Sequence, residues 1–172
     1  EETTLEGLAK LRPAFAADGT VTAGNSSQMT DGAAVSIIAS ENKVKELGLQ
    51  PIAKFKCYTT VGCKPDEMGV GPYYAIPKLM KISGMTLDDI GLFEINEAFS
   101  GSTVAVLREL GLDHGKVNVN GGSVALGHPI GASGCRVLNT LLFEMKRRDA
   151  KKGLATLCIG GGMGVALCVE RP

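Results

Sequence analysis

Residues 121–134, Gly-Gly-Ser-Val-Ala-Leu-Gly-His-Pro-Ile-Gly-Ala-Ser-Gly, set the strongest limit on how this chain folds. Glycine loses the most backbone freedom when it is ordered, and proline removes a donor and fixes φ, so a continuous helix or strand across the stretch is excluded. What remains is a shaped loop. His128 stands inside it between Gly127 and Pro129. The absent side chain before it lets a substrate approach the backbone, an arrangement suited to an active site.

From Pro51 onward apolar runs alternate with segments of helical period. Strands are expected over residues 52–61, 90–95, 117–119, 154–159 and 165–169. Helices are expected over residues 77–83 (closed by Gly84), 99–110 (closed by Gly111) and 135–148, whose last turn, Lys146-Arg147-Arg148, suits the helix dipole. Thr86 and Asp89 resemble a capping pair. The alternation predicts an α/β domain with a largely parallel sheet whose last two strands form a hairpin. Before Pro51 the expected elements lack evident partners: a helix over residues 5–12 stopped at Pro13, a turn at Asp18-Gly19, a small polar loop over 22–27, a buried strand over 33–39, and a helix over 41–47 ended by Gly48.

Loops that carry chemistry in such a sheet gather at the carboxyl ends of its strands. Asn96, His128 and Cys158 are candidates for that edge, because successive members are 32 and 30 residues apart, about one strand-helix unit each. Asn96 fits a helix N-cap as well as an oriented amide donor for a water or an oxyanion. Cys158 alone reads as a small buried hydrophobe, but beside an imidazole, or at the N-terminus of the helix beginning near Ser133, its thiol would be lowered into a usable base or nucleophile. His114, in the polar turn Asp113-His114-Gly115, reads as solvated. The glycines around Met163 run into a strand rather than a helix, which excludes a dinucleotide fingerprint, and the His128 loop lacks the Lys and Ser/Thr of a phosphate-binding loop.

Composition narrows the partners. At 172 residues the chain can bury one compact core, and its net charge of +0 argues against non-specific binding to nucleic acid or anionic membranes. No apolar run approaches the roughly 20 residues a membrane helix needs. The five cysteines show neither a disulfide framework nor paired zinc-ligand spacing, so no metal is expected and a reducing cytoplasm is the expected setting. The opening Glu1-Glu2-Thr3-Thr4 reads as text from inside a longer chain, so a fragment or processed product is expected.

Three ordered motifs carry a family resemblance: Asn-Glu-Ala-Phe at 96–99, Asn-Gly-Gly-Ser-Val-Ala-Leu-Gly-His-Pro-Ile-Gly-Ala-Ser-Gly at 120–134, and Cys-Ile-Gly-Gly-Gly-Met-Gly at 158–164. Together they resemble the carboxyl-half signatures of thiolases. Residues 20–32 and the run from Arg147 to Gly162 are most similar to the short-chain biosynthetic branch, the acetyl-CoA acetyltransferases. The resemblance implies a five-stranded mixed sheet with helices on both faces, the second of two duplicated halves. Residues 51–172 would be that half, and residues 1–50 the end of a loop domain plus the last strand and helix of the first half.

The resemblance also implies roles. His128 is similar to the histidine that activates a nucleophilic cysteine and, with a water held by Asn96, forms an oxyanion hole. Cys158 resembles the acid/base that takes an α-proton from acetyl-CoA, and the Gly160 amide resembles a donor of a second oxyanion hole. Ser27 resembles a contact to the pantetheine arm of coenzyme A, and Met68 and Phe99 resemble lining of the acyl pocket. The family's nucleophile lies in its first half and has no counterpart here, so this piece alone is expected to be inactive. Ser100-Gly101-Ser102 departs from the family's more frequent Ala-Ala-Gln, which puts local packing near the pocket in doubt.

The implied reaction is Claisen condensation of two acetyl-CoA to acetoacetyl-CoA and CoA, or its reversal, with coenzyme A thioesters as substrates and no permanently bound cofactor. The implied partners are the first thiolase half and, at full length, further copies in a dimer or tetramer. A longer-chain 3-ketoacyl-CoA thiolase, a non-catalytic half that binds CoA or a partner, and a Cys-His hydrolase using Cys158 as nucleophile are the competing expectations.

Overall fold

The structure is a computed structural model and describes residues 2–172. Its framework is a four-stranded sheet in the order β1-β4-β3-β2, formed by β1 (Lys54–Gly62), β2 (Leu92–Ile95), β3 (Lys152–Ile159) and β4 (Met163–Glu170). Only the β2/β3 pairing is parallel; β3/β4 is a hairpin and β1/β4 is antiparallel. The sheet is therefore mixed, rather than largely parallel as strand-helix alternation alone predicts.

Strand residues alternate between two apolar layers, as the period of two requires. Phe93, Ile95, Leu154, Ala166 and Cys168 face one layer together with α3 (Gly71–Ser83) and Val106 of α4 (Ser100–Leu110). Leu92, Ala155 and Val169 face the other, against Val137, Leu141 and Met145 of α6 (Ser133–Arg148). The spacing of those three α6 residues puts them on one helix face. Helices thus cover both faces of the sheet.

The expected fifth strand at residues 117–119 is reduced to a single bridge between Val117 and Phe93. Asn118 takes a left-handed φ of 47°, which ends an extended run at once. Its side-chain amide replaces the missing ladder, accepting from the Ile95 N–H and donating to the Ile95 carbonyl, both at 2.8 Å.

Helix α3 begins at Gly71, well before the predicted start at Pro77. Pro72 occupies its first turn, where a missing N–H costs nothing, while Pro77 lies inside the helix on an exposed face. The capping pair Thr86/Asp89 is present at the start of a 3-10 turn. Among the early elements, α1 (Leu5–Ala9) and α2 (Glu41–Glu46) are short helices.

Residues 33–39 are neither strand nor buried. Val35, Ile37 and Ile38 are 81%, 92% and 93% exposed, and no strand pairs with the segment among the described residues. The segment is instead tethered to α6, with the Ser36 hydroxyl donating to Asn139 at 2.6 Å and the Asn139 amide donating to the Val35 carbonyl at 3.1 Å. No helix among the described residues is long and apolar enough to cross a membrane.

Candidate active site

Asn96 follows β2 directly, and its N–H donates to the Thr156 carbonyl at 2.9 Å, extending the parallel register with β3. The residue is 3% exposed. It does not cap a helix, since α4 begins only at Ser100 with Phe99 in the cap position. The N-cap reading of Asn96 is thereby excluded, and its side chain is free for the site.

His128 emerges from the glycine loop, which contains one short helical turn, α5 (Ser123–Leu126). Its backbone N–H donates to the Gln28 carbonyl at 3.0 Å, so the loop is pinned to the early segment. Gly127 just before it has φ 91°, and a β-carbon there would stand 2.2 Å from the Thr30 hydroxyl oxygen. Only glycine permits both the turn and this approach.

Asn96 and His128 meet: the amide nitrogen lies 3.2 Å from Nε2. On the far side of the ring, Nδ1 is 2.6 Å from the hydroxyl of the fully buried Ser133, which also contacts the Pro129 carbonyl at 3.0 Å. Burial lowers the His128 pKa from its ordinary value, and the nearby Arg136 charge lowers it further. The imidazole is therefore neutral at pH 7 and able to accept a proton.

Behind Asn96, its amide oxygen accepts from the Ser123 hydroxyl at 2.6 Å and from Arg136 Nη2 at 3.3 Å, while the same Nη2 donates to Ser123 Oγ at 2.7 Å. Sequence reasoning missed Ser123, Ser133 and Arg136. One signal for Arg136 was available, because a cation in the first turn of a helix opposes the dipole and calls for a compensating reason.

One other expected residue, Ser27, is brought alongside. The Ser27 N–H donates to the Ala98 carbonyl at 2.9 Å, and Ser26 bridges Phe99, so the polar loop of residues 22–27 lies against the strand end that carries Asn96. Met68 sits half-buried in a 3-10 turn, Pro65–Val70, beside the start of α4, where Gly69 abuts Ser102.

Cys158 lies near the carboxyl end of β3, paired with Gly164, and Gly160 is in the exposed turn that follows. No hydrogen bond joins Cys158 to His128 among the described residues. The helix that starts at Ser133 delivers its first turn to His128 rather than to Cys158. Accordingly, burial pushes the Cys158 thiol up instead of down, contrary to the expectation of a lowered thiol.

A cavity of about 490 Å³, lined by Leu8, Ala23, Gly24, Glu97, Gly122 and Val124 among others, adjoins the loop on the Glu97 side. It includes neither His128 nor Cys158.

Comparisons with known proteins identify the family. The family description "Thiolase, C-terminal domain" matches residues 49–171, and "Thiolase, N-terminal domain" matches residues 1–42. The acetyl-CoA acetyltransferase of Chromobacterium violaceum is 60% identical over 99% of this chain, and the 3-ketoacyl-CoA thiolase of Bacillus subtilis is 53% identical over 96%. The crystal structure of the Bacillus anthracis acetyl-CoA acetyltransferase superposes with a TM-score of 0.97 at 51% identity over 99% of this chain. That of human mitochondrial 3-ketoacyl-CoA thiolase in complex with CoA superposes at 0.92 with 43% identity, again over 99%. The chain spans 42–44% of the length of these four relatives. Sequence motifs, strand order and the matched domain descriptions lead to one assignment: this chain belongs to the thiolase family.

Proposed function

We propose that this chain is the carboxyl-terminal portion of an acetyl-CoA C-acetyltransferase, which condenses two acetyl-CoA to acetoacetyl-CoA and CoA, or runs that step backward. The observation that carries the reading is the buried Asn96 amide nitrogen held 3.2 Å from Nε2 of His128. Nε2 takes the proton of a cysteine thiol, the thiolate attacks the first thioester carbonyl, and the bond to CoA breaks, the departing CoA thiolate taking the proton back from His128. The second Asn96 N–H holds a water, and together with His128 this water stabilises the negative charge that develops on a thioester oxygen. A prealigned donor of that kind is worth about 3 kcal/mol.

In the second half-reaction, the Cys158 thiolate removes an α-proton from acetyl-CoA. The resulting carbanion attacks the acetylated cysteine, a carbon–carbon bond forms, and the enzyme thiolate leaves. The Gly160 amide donates to the oxygen of the acetylated cysteine, while Ser27 contacts the pantetheine arm and Met68 and Phe99 line the acyl pocket. Coenzyme A thioesters are substrates, and no bound cofactor takes part.

Residues 51–172 form the second thiolase half in this reading, and residues 1–50 the end of the loop domain with the last strand and helix of the first half. The exposed apolar segment around Ile37 and Ile38 supports a partner half packing there. The attacking cysteine belongs to that half, so the 172-residue chain alone does not turn over. Thiolysis of acetoacetyl-CoA by the purified chain, free of any other thiolase, would overturn this point. Activity of the protein expressed from its complete reading frame on acetoacetyl-CoA tests the main reading, and its absence there would sink it. The likeness to 3-ketoacyl-CoA thiolases favours one alternative, a longer-chain substrate. Rates across acyl chain lengths separate the two.

A further inference from the structure

We infer that Arg136 is a positioning residue that orients the Asn96 amide and fixes the tautomer of His128 through a one-way chain of hydrogen bonds. The inference rests on the site reading above. A guanidinium donates and never accepts. Arg136 Nη2 reaches Ser123 Oγ at 2.7 Å and Asn96 Oδ1 at 3.3 Å, so both oxygens accept from it. The Ser123 proton must then go to its other neighbour, Asn96 Oδ1 at 2.6 Å.

With its oxygen held from behind, Asn96 can present only its NH2 group to His128. Nε2, at 3.2 Å, is therefore the acceptor, and the ring proton resides on Nδ1. Nδ1–H donates to Ser133 Oγ at 2.6 Å, and the Ser133 hydroxyl passes its own proton to the Pro129 carbonyl at 3.0 Å. Each link has one allowed direction, and the direction is set at Arg136. The ring nitrogen left unprotonated, Nε2, is thus the one turned toward Asn96, and it is the basic site of the imidazole.

Two costs indicate that Arg136 is kept for this purpose. Its Nε and Nη1 are buried with no hydrogen-bond partner among the described residues, and an unmade hydrogen bond of a charged group is expensive. It also lies in the first turn of α6, Ser133–Arg148, where the dipole opposes a cation. The charged and titratable groups that face it are Glu94 on β2 and His128 itself.

The test uses Arg136→Met and Arg136→Lys in the protein expressed from its complete reading frame, with steady-state kinetics and nitrogen-15 spectra of labelled histidine. A His128→Asn variant identifies the His128 signals. In Arg136→Met, kcat is expected to fall about tenfold or more with KM nearly constant. The His128 nitrogen shifts should move away from the pure Nδ1–H tautomer. Arg136→Lys, also a donor without an acceptor, should restore most of both.

Unchanged His128 shifts in Arg136→Met, or a kcat loss that lysine does not relieve at all, overturns the proposal. If Arg136→Met does not fold, Arg136→Gln replaces it, because a glutamine amide both donates and accepts and no longer fixes the direction, and the same shift is required of it. Absence of thiolase activity in the unaltered protein would refute the function reading alone, because the tautomer is read independently of turnover.

Discussion

Asn96 and His128, 32 residues apart, face each other nitrogen to nitrogen at 3.2 Å, and this contact is closed by groups that neither residue touches in sequence. The pair is fixed from three sides: β2 and its register with β3 place Asn96, the Gln28 carbonyl holds the His128 backbone, and Ser133 holds the far side of the ring. A donor and an acceptor thus meet without either being free to turn.

The first prediction follows from that rigidity. Asn96→Ala in the protein expressed from its complete reading frame should lower kcat about 10²- to 10³-fold, as loss of one oxyanion donor does, with a much smaller change in KM. Steady-state thiolysis of acetoacetyl-CoA measures it. A change confined to KM would mean that Asn96 serves binding alone.

The pH profile has a defined form. His128 is held below its ordinary value by burial and by Arg136, so the neutral base persists to lower pH than for a free histidine, and kcat/KM should fall only as pH drops below about 6.5. Cys158 is pushed up by burial, so its thiolate form, and with it proton abstraction, should grow through the alkaline range. Cys158→Ser should remove the alkaline rise while leaving acylation of the enzyme by acetyl-CoA intact, as followed by mass spectrometry.

Glu94 provides a stability test. The side chain is 2% exposed, and burial pushes its carboxyl up to about 7 from 4.5, against the opposing pull of Arg136. The folded state therefore holds this proton more tightly than the unfolded state. Its contribution is fully present below pH 4.5 and is lost as pH rises through about 7, up to ~3 kcal/mol. Glu94→Gln should flatten this loss in urea unfolding compared at pH 5 and pH 8. Parallel losses in both proteins would contradict it.

Gly127→Ala should be destabilising by about 1–3 kcal/mol, because it places a side chain at φ 91° and drives its β-carbon into Thr30. Displacement of His128 should accompany the loss. Alanine at Gly131, where a β-carbon meets nothing within 4 Å, is the control and should be close to neutral in the same melt.

The chain by itself determined the elements whose causes are local. Helix stops at Gly84 and Gly111, the Thr86/Asp89 cap, the β3/β4 hairpin and the glycine loop around His128 follow from backbone preferences of the residues that compose them. The positions of Asn96 and Cys158 at the carboxyl ends of neighbouring parallel strands were also legible, because strand-helix units of similar length return the chain to the same sheet edge. Other features depended on neighbours remote in sequence. The left-handed Asn118 that ends the fifth strand, the exposure of residues 33–39 and the antiparallel pairing of β1 with β4 are of this kind.

So too are the chemical properties of the site. Whether the Cys158 thiol is raised or lowered depends on the low-dielectric surroundings that close over it, and which way Asn96 turns depends on a guanidinium 40 residues further along. Desolvation and hydrogen-bond direction are properties of a three-dimensional neighbourhood. Only the tertiary structure, by bringing Arg136, Ser123 and Asn96 within bonding distance, decided which atom of His128 would carry its proton.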